Sequence, residues 1–131
     1  MKLTIEWQDD KQTHRKTIQM NRIIDLGRSP SCQIGFDDKT VSRRHAIIYP
    51  YNKGIYLQNL SSTNRIWVDK AIPLHKGDSI LLQEGVSFNI GRIHVLITAV
   101  QTNSAQQTMN SKWNFLQKSA TNTPAPIFSL V

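Results

Sequence analysis

Short apolar runs separated by turn residues recur from the first residue to about Val100, and this pattern constrains the fold more than any other feature of the chain. Near the start, Leu3, Ile5 and Trp7 alternate with polar residues, and residues 93–99 alternate in the same way near the end. Successive side chains of a strand point to opposite faces, so each segment can bury one face. The pattern predicts an all-β fold in which these two segments pair as neighbouring strands.

Turn signals divide the chain between these two segments into further strands. Asn52-Lys53-Gly54 is a hairpin signal, and Gly85 and Gly91 stand where turns need glycine, which tolerates positive φ. The strands predicted between the terminal segments are 16–20, 23–26, 33–35, 46–51, 54–59, 66–68, 79–82 and 86–90. About ten or eleven short strands with almost no helix predict a two-sheet antiparallel β-sandwich.

The composition changes after residue 100. Residues 101–126 are rich in Gln, Asn, Ser, Thr, Ala and Pro, and the only charged residues beyond 100 are Lys112 and Lys118. Such a segment cannot bury enough apolar surface to offset the entropy of folding. We expect one domain at residues 1–100, followed by a flexible polar tail at residues 101–131 with an apolar C-terminal end.

The charge of the chain favours an anionic partner. Sixteen Lys and Arg stand against nine Asp and Glu, which gives a formal net charge of +7 and a pI near 9.9. Five of the basic residues and no acid lie between Lys39 and Arg65. The basic character is therefore concentrated in the middle of the chain.

Several classes of protein are disfavoured by the sequence. Apolar stretches such as residues 80–82 and 95–97 are far shorter than the roughly 20 residues of a transmembrane helix. The first residues lack the apolar run of a signal peptide. Cys32 is the only cysteine, so it has no partner for a disulfide or a shared zinc ion. We expect an intracellular, cytoplasmic protein without a membrane partner, metal or cofactor.

Three segments next to predicted strands carry residues suited to bind an anion. They are Gly27-Arg28-Ser29, Ser42-Arg43-Arg44-His45 and Ser62-Thr63-Asn64. Arginine offers a planar fork of donors that matches phosphate oxygens, hydroxyl groups add donors, and asparagine can bond to a peptide backbone. Together these loops predict a site for a phosphorylated peptide.

The order and spacing of these segments resemble the forkhead-associated family across roughly residues 1–100. Gly-Arg is followed about fourteen residues later by Ser-Arg-x-His, and some eighteen residues further by Ser-Thr-Asn. The resemblance implies a non-catalytic module that binds a partner phosphorylated on threonine by a Ser/Thr kinase. It implies that Arg28 and Ser42 bind the phosphate, that Thr63 helps to hold it, that Asn64 bonds the main chain of the peptide, and that Arg43 adds a donor.

The same resemblance implies supporting roles for four further residues. Gly27 permits close packing, and His45 connects the binding loops through hydrogen bonds. Thr40 stands where the family selects the residue three places after the phosphothreonine. Arg65 departs from the usual Asn-Gly. If that position needs left-handed backbone, a residue with a Cβ costs roughly 1–2 kcal/mol; otherwise Arg65 reshapes the loop and lends charge beside the phosphate.

Other functions stay open on the sequence alone. The change at Arg65 favours a phosphate-independent scaffold on the same fold. The pI and the basic segment favour a nucleic-acid binder, but the segment lacks an evident stacking surface of aromatic residues. An enzyme is disfavoured because the sequence has no paired carboxylate motif, no Gly-rich nucleotide loop and no plausible nucleophile with an assigned base. Phosphorylation of Thr121 or Thr123 in the tail would allow self-association, and Trp7 and Trp67 are expected in the core.

Overall fold

The computed structural model describes residues 1–9 and 12–101, which form eleven β-strands and no helix. The all-β prediction is therefore confirmed for these residues. Apart from Gln101, the predicted tail lies outside the described residues. The strands are β1 (Lys2–Gln8), β2 (Thr13–Gln19), β3 (Ile24–Gly27), β4 (Ile34–Gly35), β5 (Ala46–Tyr51), β6 (Gly54–Asn59), β7 (Ile66–Val68), β8 (Ile72–Leu74), β9 (Ser79–Leu81), β10 (Ser87–Ile90) and β11 (Ile93–Gln101).

The strands form two sheets that pack face to face. One sheet has six strands in the order β2-β1-β11-β10-β7-β8, and the other has five in the order β4-β3-β5-β6-β9. The predicted two-sheet sandwich is thus confirmed. It departs from a purely antiparallel arrangement at one place, because the two-residue strand β4 pairs with β3 in parallel.

The two ends of the domain meet in the six-stranded sheet. β1 and β11 pair antiparallel from Lys2 opposite Gln101 to Trp7 opposite Val95, with a register shift between Thr4 and Ile5. The predicted pairing of the terminal segments is confirmed. Both strands lie inside the sheet, with β2 on the outer side of β1 and β10 on the other side of β11.

The hairpin predicted at residues 52–54 is also confirmed, and its geometry explains the turn. Asn52 has φ 48° and Lys53 has φ 68°, and Tyr51 pairs with Gly54 across the turn. Positive φ at both central residues is the feature of a type I′ turn, whose twist matches that of the flanking strands. Asparagine accepts this backbone more readily than most residues.

Two features of the strand pattern differ from the prediction. β2 begins at Thr13, three residues earlier than predicted, and β8 was not predicted. β8 contains Pro73, which lacks a backbone N–H and argues against a strand in the sequence. The strand is nevertheless stable because β8 lies at the edge of the six-stranded sheet, where one side needs no donor.

The core lies between the sheets and is almost entirely aliphatic. Twenty-one apolar residues among those described are buried, and Phe88 is the largest fully buried side chain. Trp7 packs against this core with its ring edge to Phe36 at a centroid distance of 5.3 Å. The prediction for Trp67 was wrong: its neighbours Ile66 and Val68 point inward, so Trp67 points outward and is 38% exposed. Within the described residues, no helix could span a membrane.

Candidate functional site

Three loops come together at one end of the sandwich. The first loop, residues 28–33, joins β3 to β4; the second, residues 36–45, joins β4 to β5; the third, residues 60–65, joins β6 to β7. The backbone N–H of Arg28 donates to the carbonyl of Ser42 at 3.0 Å, and that of Leu60 donates to the carbonyl of His45 at 2.9 Å. Backbone hydrogen bonds therefore join the second loop to both of the others.

Gly27, the last residue of β3, permits the close approach of the first two loops. A Cβ at this position would collide with the backbone carbonyl of Arg43 and would lie 3.0 Å from the Cα of Arg44. Such distances to backbone atoms cannot be relieved by a side-chain rotation. Glycine is required here because of space, since its φ is not positive.

Hydroxyl and amide groups from the second and third loops form one hydrogen-bonded network. Ser42 Oγ shares a hydrogen bond with Ser61 Oγ at 3.0 Å, and the Asn64 side-chain Nδ2 donates to Ser42 Oγ at 3.4 Å. Ser61 Oγ also accepts from the backbone N–H of Asn64 at 3.0 Å and contacts Thr63 Oγ1 at 3.3 Å. The structure thus brings together Ser42 of the second loop with Thr63 and Asn64 of the third.

Asn59, a fully buried residue at the end of β6, holds the third loop in place. Its Nδ2 donates to the carbonyls of Leu74 at 2.8 Å and Asn64 at 3.3 Å. Its Oδ1 accepts from the backbone N–H of Ser61 at 3.1 Å. Because a buried amide must find partners for both ends, these bonds define the path of the loop.

His45 is fully buried behind the loops. Its Nδ1 accepts from the backbone N–H of Ser42 at 3.0 Å, so the proton of the neutral ring is assigned to Nε2. Nε2 has no hydrogen-bond partner among the described residues. Burial lowers the pKa of His45. The nearby backbone of Asn64 raises this pKa by a smaller amount, although it does not form a hydrogen bond with Nε2. The ring is therefore neutral at pH 7, as its contact with Ser42 requires.

The three loops also carry the exposed arginines Arg28, Arg43 and Arg65. Arg28 donates through Nε to the carbonyl of Val41 at 3.0 Å, which holds the side chain while leaving the terminal nitrogens for other partners. Arg43 and Arg65 directly follow Ser42 and Asn64 in the sequence and are exposed. Arg65 does not have positive φ. The cost of roughly 1–2 kcal/mol for a residue with a Cβ in left-handed backbone therefore does not apply to Arg65.

Thr40 has a role in the structure that the sequence did not predict. Its backbone N–H donates to Asp38 Oδ1 at 2.8 Å, and its Oγ1 accepts from the backbone N–H of Arg92 at 2.8 Å. Arg92 Nη2 contacts Asp38 Oδ2 at 2.9 Å. The second loop is thereby joined to the turn between β10 and β11. Hydrogen bonds from Thr40, and then those from Arg92, lower the pKa of Asp38 to about 2.

The sequence analysis missed Ser61 and Asn59, both of which organise the site. Both are polar residues at or just after the end of a strand and are buried in the structure. A buried polar group signals a structural role, but burial cannot be read from a short loop sequence. Arg44, in contrast, lies in a predicted segment but forms an ion pair with Asp25 at 2.9 Å.

The chemistry of the three loops suits an anion. The three loops at this end of the sandwich carry hydroxyl groups, amide donors and guanidinium groups, and such donors suit a phosphate. Among the described residues there is no group of His, Cys, Asp and Glu that could hold a metal ion. The class of protein that the fold defines is a two-sheet β-sandwich with three connected loops at one end.

Comparison with known proteins identifies the family. The profile of the FHA domain matches residues 24–91, which is 68 of the 131 residues and spans all three loops. The chain belongs to the FHA domain family, whose members are known as phosphothreonine-binding interaction modules without catalytic activity. The resemblance found in the sequence is thus confirmed. A search of curated proteins found no match.

Solved FHA domains share the fold. An FHA domain studied for phosphothreonine-dependent interactions is 24% identical, with a TM-score of 0.65, and the alignment covers 77% of this chain and 99% of that one. The FHA domain of FhaA, solved with the intracellular domain of Rv3910, is 26% identical, with a TM-score of 0.59 and coverage of 72% and 98%. The N-terminal FHA domain of Rad53p from S. cerevisiae, solved with a phosphothreonine peptide, is 16% identical, with a TM-score of 0.66 and coverage of 77% and 94%.

Proposed function

We propose that this protein is a phosphothreonine reader: it binds a partner protein inside the cell after a Ser/Thr kinase has phosphorylated that partner. The observation that carries the proposal is the network in which Ser42, Ser61, Thr63 and Asn64 meet beside the backbone of Arg28. Membership of the FHA family supports it.

Each group in the site has a distinct part in this proposal. The terminal nitrogens of Arg28 and the hydroxyl of Ser42 bind the phosphate oxygens, and the hydroxyl of Thr63 adds a third donor. The side-chain amide of Asn64 bonds the main chain of the peptide, and Arg43 contributes a further cation. Gly27 and His45 hold the loops at the required separation and do not touch the ligand.

The energies expected for these contacts suit a reversible interaction. A hydrogen bond to a charged group contributes roughly 1.5–3 kcal/mol, so three or four such bonds give several kcal/mol. A micromolar complex needs about 8 kcal/mol. Contacts to residues flanking the phosphothreonine therefore supply the remainder, and recognition depends on the sequence of the partner.

Calorimetric titration with an oriented phosphothreonine peptide library tests the proposal. We expect binding to phosphothreonine peptides, weaker binding to phosphoserine versions and none to unphosphorylated ones. The Arg28→Ala and Ser42→Ala variants should lose binding. Arg15→Ala is the matched control, because Arg15 pairs with Glu6 at 3.3 Å on the six-stranded sheet. Binding that is indifferent to phosphate, in a folded sample, would instead establish a scaffold of the same fold.

The tail offers a route to self-association under the same proposal. Thr121 and Thr123 lie outside the described residues, and either one, once phosphorylated, would be a ligand for the site of a neighbouring molecule. Sedimentation after kinase treatment should then show oligomers that are absent from the Thr121→Ala/Thr123→Ala variant. Mass spectrometry that finds no modified tail threonine would rule out this route.

A further inference from the structure

Three of the seven arginines are neutralised by carboxylates. Arg15 pairs with Glu6 at 3.3 Å, Arg44 with Asp25 at 2.9 Å and Arg92 with Asp38 at 2.9 Å. A further arginine, Arg22, lines a groove beside β2 with Lys16. The charges of the three paired arginines are largely cancelled within the domain.

The three arginines of the loops other than Arg44 differ. Among residues 1–9 and 12–101, no carboxylate oxygen lies within 4.0 Å of the guanidinium nitrogens of Arg28, Arg43 or Arg65. Residues 102–131 contain no Asp or Glu, so Asp10 is the only acidic side chain outside the described part of the chain. These three guanidinium groups therefore present their charge to solvent.

The three arginines extend from backbone positions that lie close together. The N–H of Arg28 donates to the carbonyl of Ser42 at 3.0 Å, and Arg43 is the next residue. The side chain of Asn64 reaches Ser42 Oγ at 3.4 Å, and Arg65 follows Asn64. We call Arg28, Arg43 and Arg65 the loop arginines.

One phosphate does not balance the charge at this end of the domain. The loop arginines and Lys39, in the second loop, give four positive charges, and Asp37 in the same loop subtracts one. The net charge is then +3, because Asp38 and Asp25 are already paired with Arg92 and Arg44. A phosphothreonine carries about −1.5 to −2 at pH 7. An excess of about one positive charge remains for other groups of the ligand.

We propose that the preferred ligand is a phosphothreonine peptide with acidic residues, or a second phosphate, next to the phosphothreonine. This inference rests on the proposed function and specifies its substrate class. Arg65, which stands where the family usually has glycine, and Arg43 bind the additional acid. Each added carboxylate tightens binding about two- to fivefold, as expected for exposed charge pairs, and the gain decreases in salt because the pairs are screened.

Fluorescence anisotropy with the 131-residue protein tests this inference. The probes are three labelled peptides: phosphothreonine with neutral flanks, phosphothreonine with two Glu on each side, and unphosphorylated threonine with the same Glu flanks. At 50 mM salt we expect the acid-flanked phosphopeptide to bind at least fivefold more tightly than the neutral-flanked one. At 500 mM salt the ratio should fall below twofold.

Variants assign the effect to the loop arginines. Arg65→Gln should lose at least half of the advantage given by the acidic flanks, and the Arg43→Gln/Arg65→Gln variant should lose nearly all of it. Arg15→Gln is the matched control, because it removes an arginine whose charge is already paired, and the advantage should persist. Circular dichroism establishes that each variant is folded.

The outcomes separate this inference from the proposed function. Equal affinity for the two phosphopeptides would overturn the acidic preference and leave phosphothreonine binding intact. Absence of binding to either phosphopeptide, or equal binding of the unphosphorylated acidic peptide, would overturn both. A competition assay covers nucleic acid: a single-stranded oligonucleotide and an unlabelled phosphopeptide each compete with the labelled acid-flanked phosphopeptide. Displacement by the oligonucleotide at the lower concentration would overturn the inference and assign the loop arginines to nucleic acid.

Discussion

At the scale of single residues, the site is organised by Ser61, a serine that the sequence motifs did not identify. Ser61 is only 8% exposed, and its hydroxyl contacts Ser42 Oγ, Thr63 Oγ1 and the backbone N–H of Asn64. Every proposed hydroxyl or amide ligand of the third loop is thus held by one oxygen atom. Ser61 is a positioning residue in this arrangement.

We expect Ser61→Ala to weaken phosphopeptide binding about five- to tenfold. The change leaves Ser42 and Asn64 without their common partner, and each lost bond costs about 0.5–1.5 kcal/mol. Calorimetric titration measures the effect. Ser79→Ala is the matched control, because it removes a partly buried hydroxyl that accepts from Tyr49 at 3.0 Å. An unchanged affinity for the Ser61 variant would show that the other contacts are sufficient to hold the loops.

His45 predicts a dependence of stability on pH. Burial lowers the pKa of His45 from its ordinary value of 6.5, so the unfolded chain binds a proton more readily than the folded one. The stabilising contribution is present above pH 6.5 and is lost as the pH falls towards the lower pKa of the folded state. Protonation would also remove the acceptor for the N–H of Ser42.

Urea unfolding between pH 5 and pH 8 measures this dependence. We expect the free energy of unfolding to decrease as the pH falls below 7, and the decrease to be smaller in His45→Gln. His75→Gln, a change at an exposed histidine in a turn, should retain the full decrease. A His45 variant with the same pH profile as the unmodified protein would contradict the assignment.

At the scale of elements, β3 packs closely against the second loop because Gly27 has no side chain. A Cβ on Gly27 would lie 2.8 Å from the carbonyl carbon of Arg43. Relief requires the backbone of the second loop to move, and that movement displaces Ser42 from the proposed phosphate site. Position 27 is thus sensitive to any added side chain, even though Gly27 does not have positive φ.

We expect Gly27→Ala to lower the free energy of unfolding by about 1–3 kcal/mol, the range for overpacked sites, and to weaken phosphopeptide binding. Gly35→Ala is the matched control: Gly35 pairs with Gly27 across β3 and β4, but its added Cβ would meet only the carbonyl oxygen of Gly27, at 4.0 Å. Urea unfolding and calorimetry measure the two effects. Equal stability of the two variants would show that the second loop adapts without cost.

The ion pair between Asp38 and Arg92 joins two loops of different sheets and predicts a second pH effect. The pKa of Asp38 is lowered to about 2 in the folded protein, most strongly by the hydroxyl of Thr40 and next by its backbone N–H. In the unfolded chain the carboxyl has its ordinary pKa near 4, so the unfolded chain is protonated at a higher pH. Its stabilising contribution is present above about pH 4 and is lost as the pH falls towards 2.

Urea unfolding at pH 2 to 5 should therefore show a smaller loss of stability in Asp38→Asn than in the unmodified protein. Asp37→Asn, a change at its exposed neighbour, is the control and should follow the unmodified protein. A profile for Asp38→Asn as steep as that of the control would mean that the contacts with Thr40 and Arg92 contribute no stability.

At the scale of the whole molecule, the described residues contain a complete sandwich. The buried apolar cluster extends from Leu3 to Ile97, and the three loops lie between Gly27 and Arg65. A chain that ends at Gln101 should therefore keep its fold and its phosphopeptide affinity. Thermal unfolding and calorimetry compare it with the 131-residue protein. A melting temperature several degrees lower would show that residues 102–131 pack against the sandwich.

Much of the fold could be predicted because the relevant signals are local. Alternation of apolar residues in β1 and β11 predicted both strands, and Asn52-Lys53-Gly54 predicted a hairpin. β8 was missed because proline excludes a central strand but not an edge strand. Trp67 was placed on the wrong face because a strand of three residues, β7, is too short to show which of its faces is buried.

The all-β class, ten of the eleven strands and the three loops that hold Arg28, Ser42 and Asn64 could be predicted from the sequence alone, because each depends on neighbouring residues. Three-dimensional contacts were needed to show which hydrogen bonds join these loops, that Ser61 and Asn59 organise them, and that Arg44 is paired whereas Arg43 and Arg65 are not. Burial and charge pairing depend on contacts between residues that are distant in sequence, and those contacts exist only once the sheets have packed.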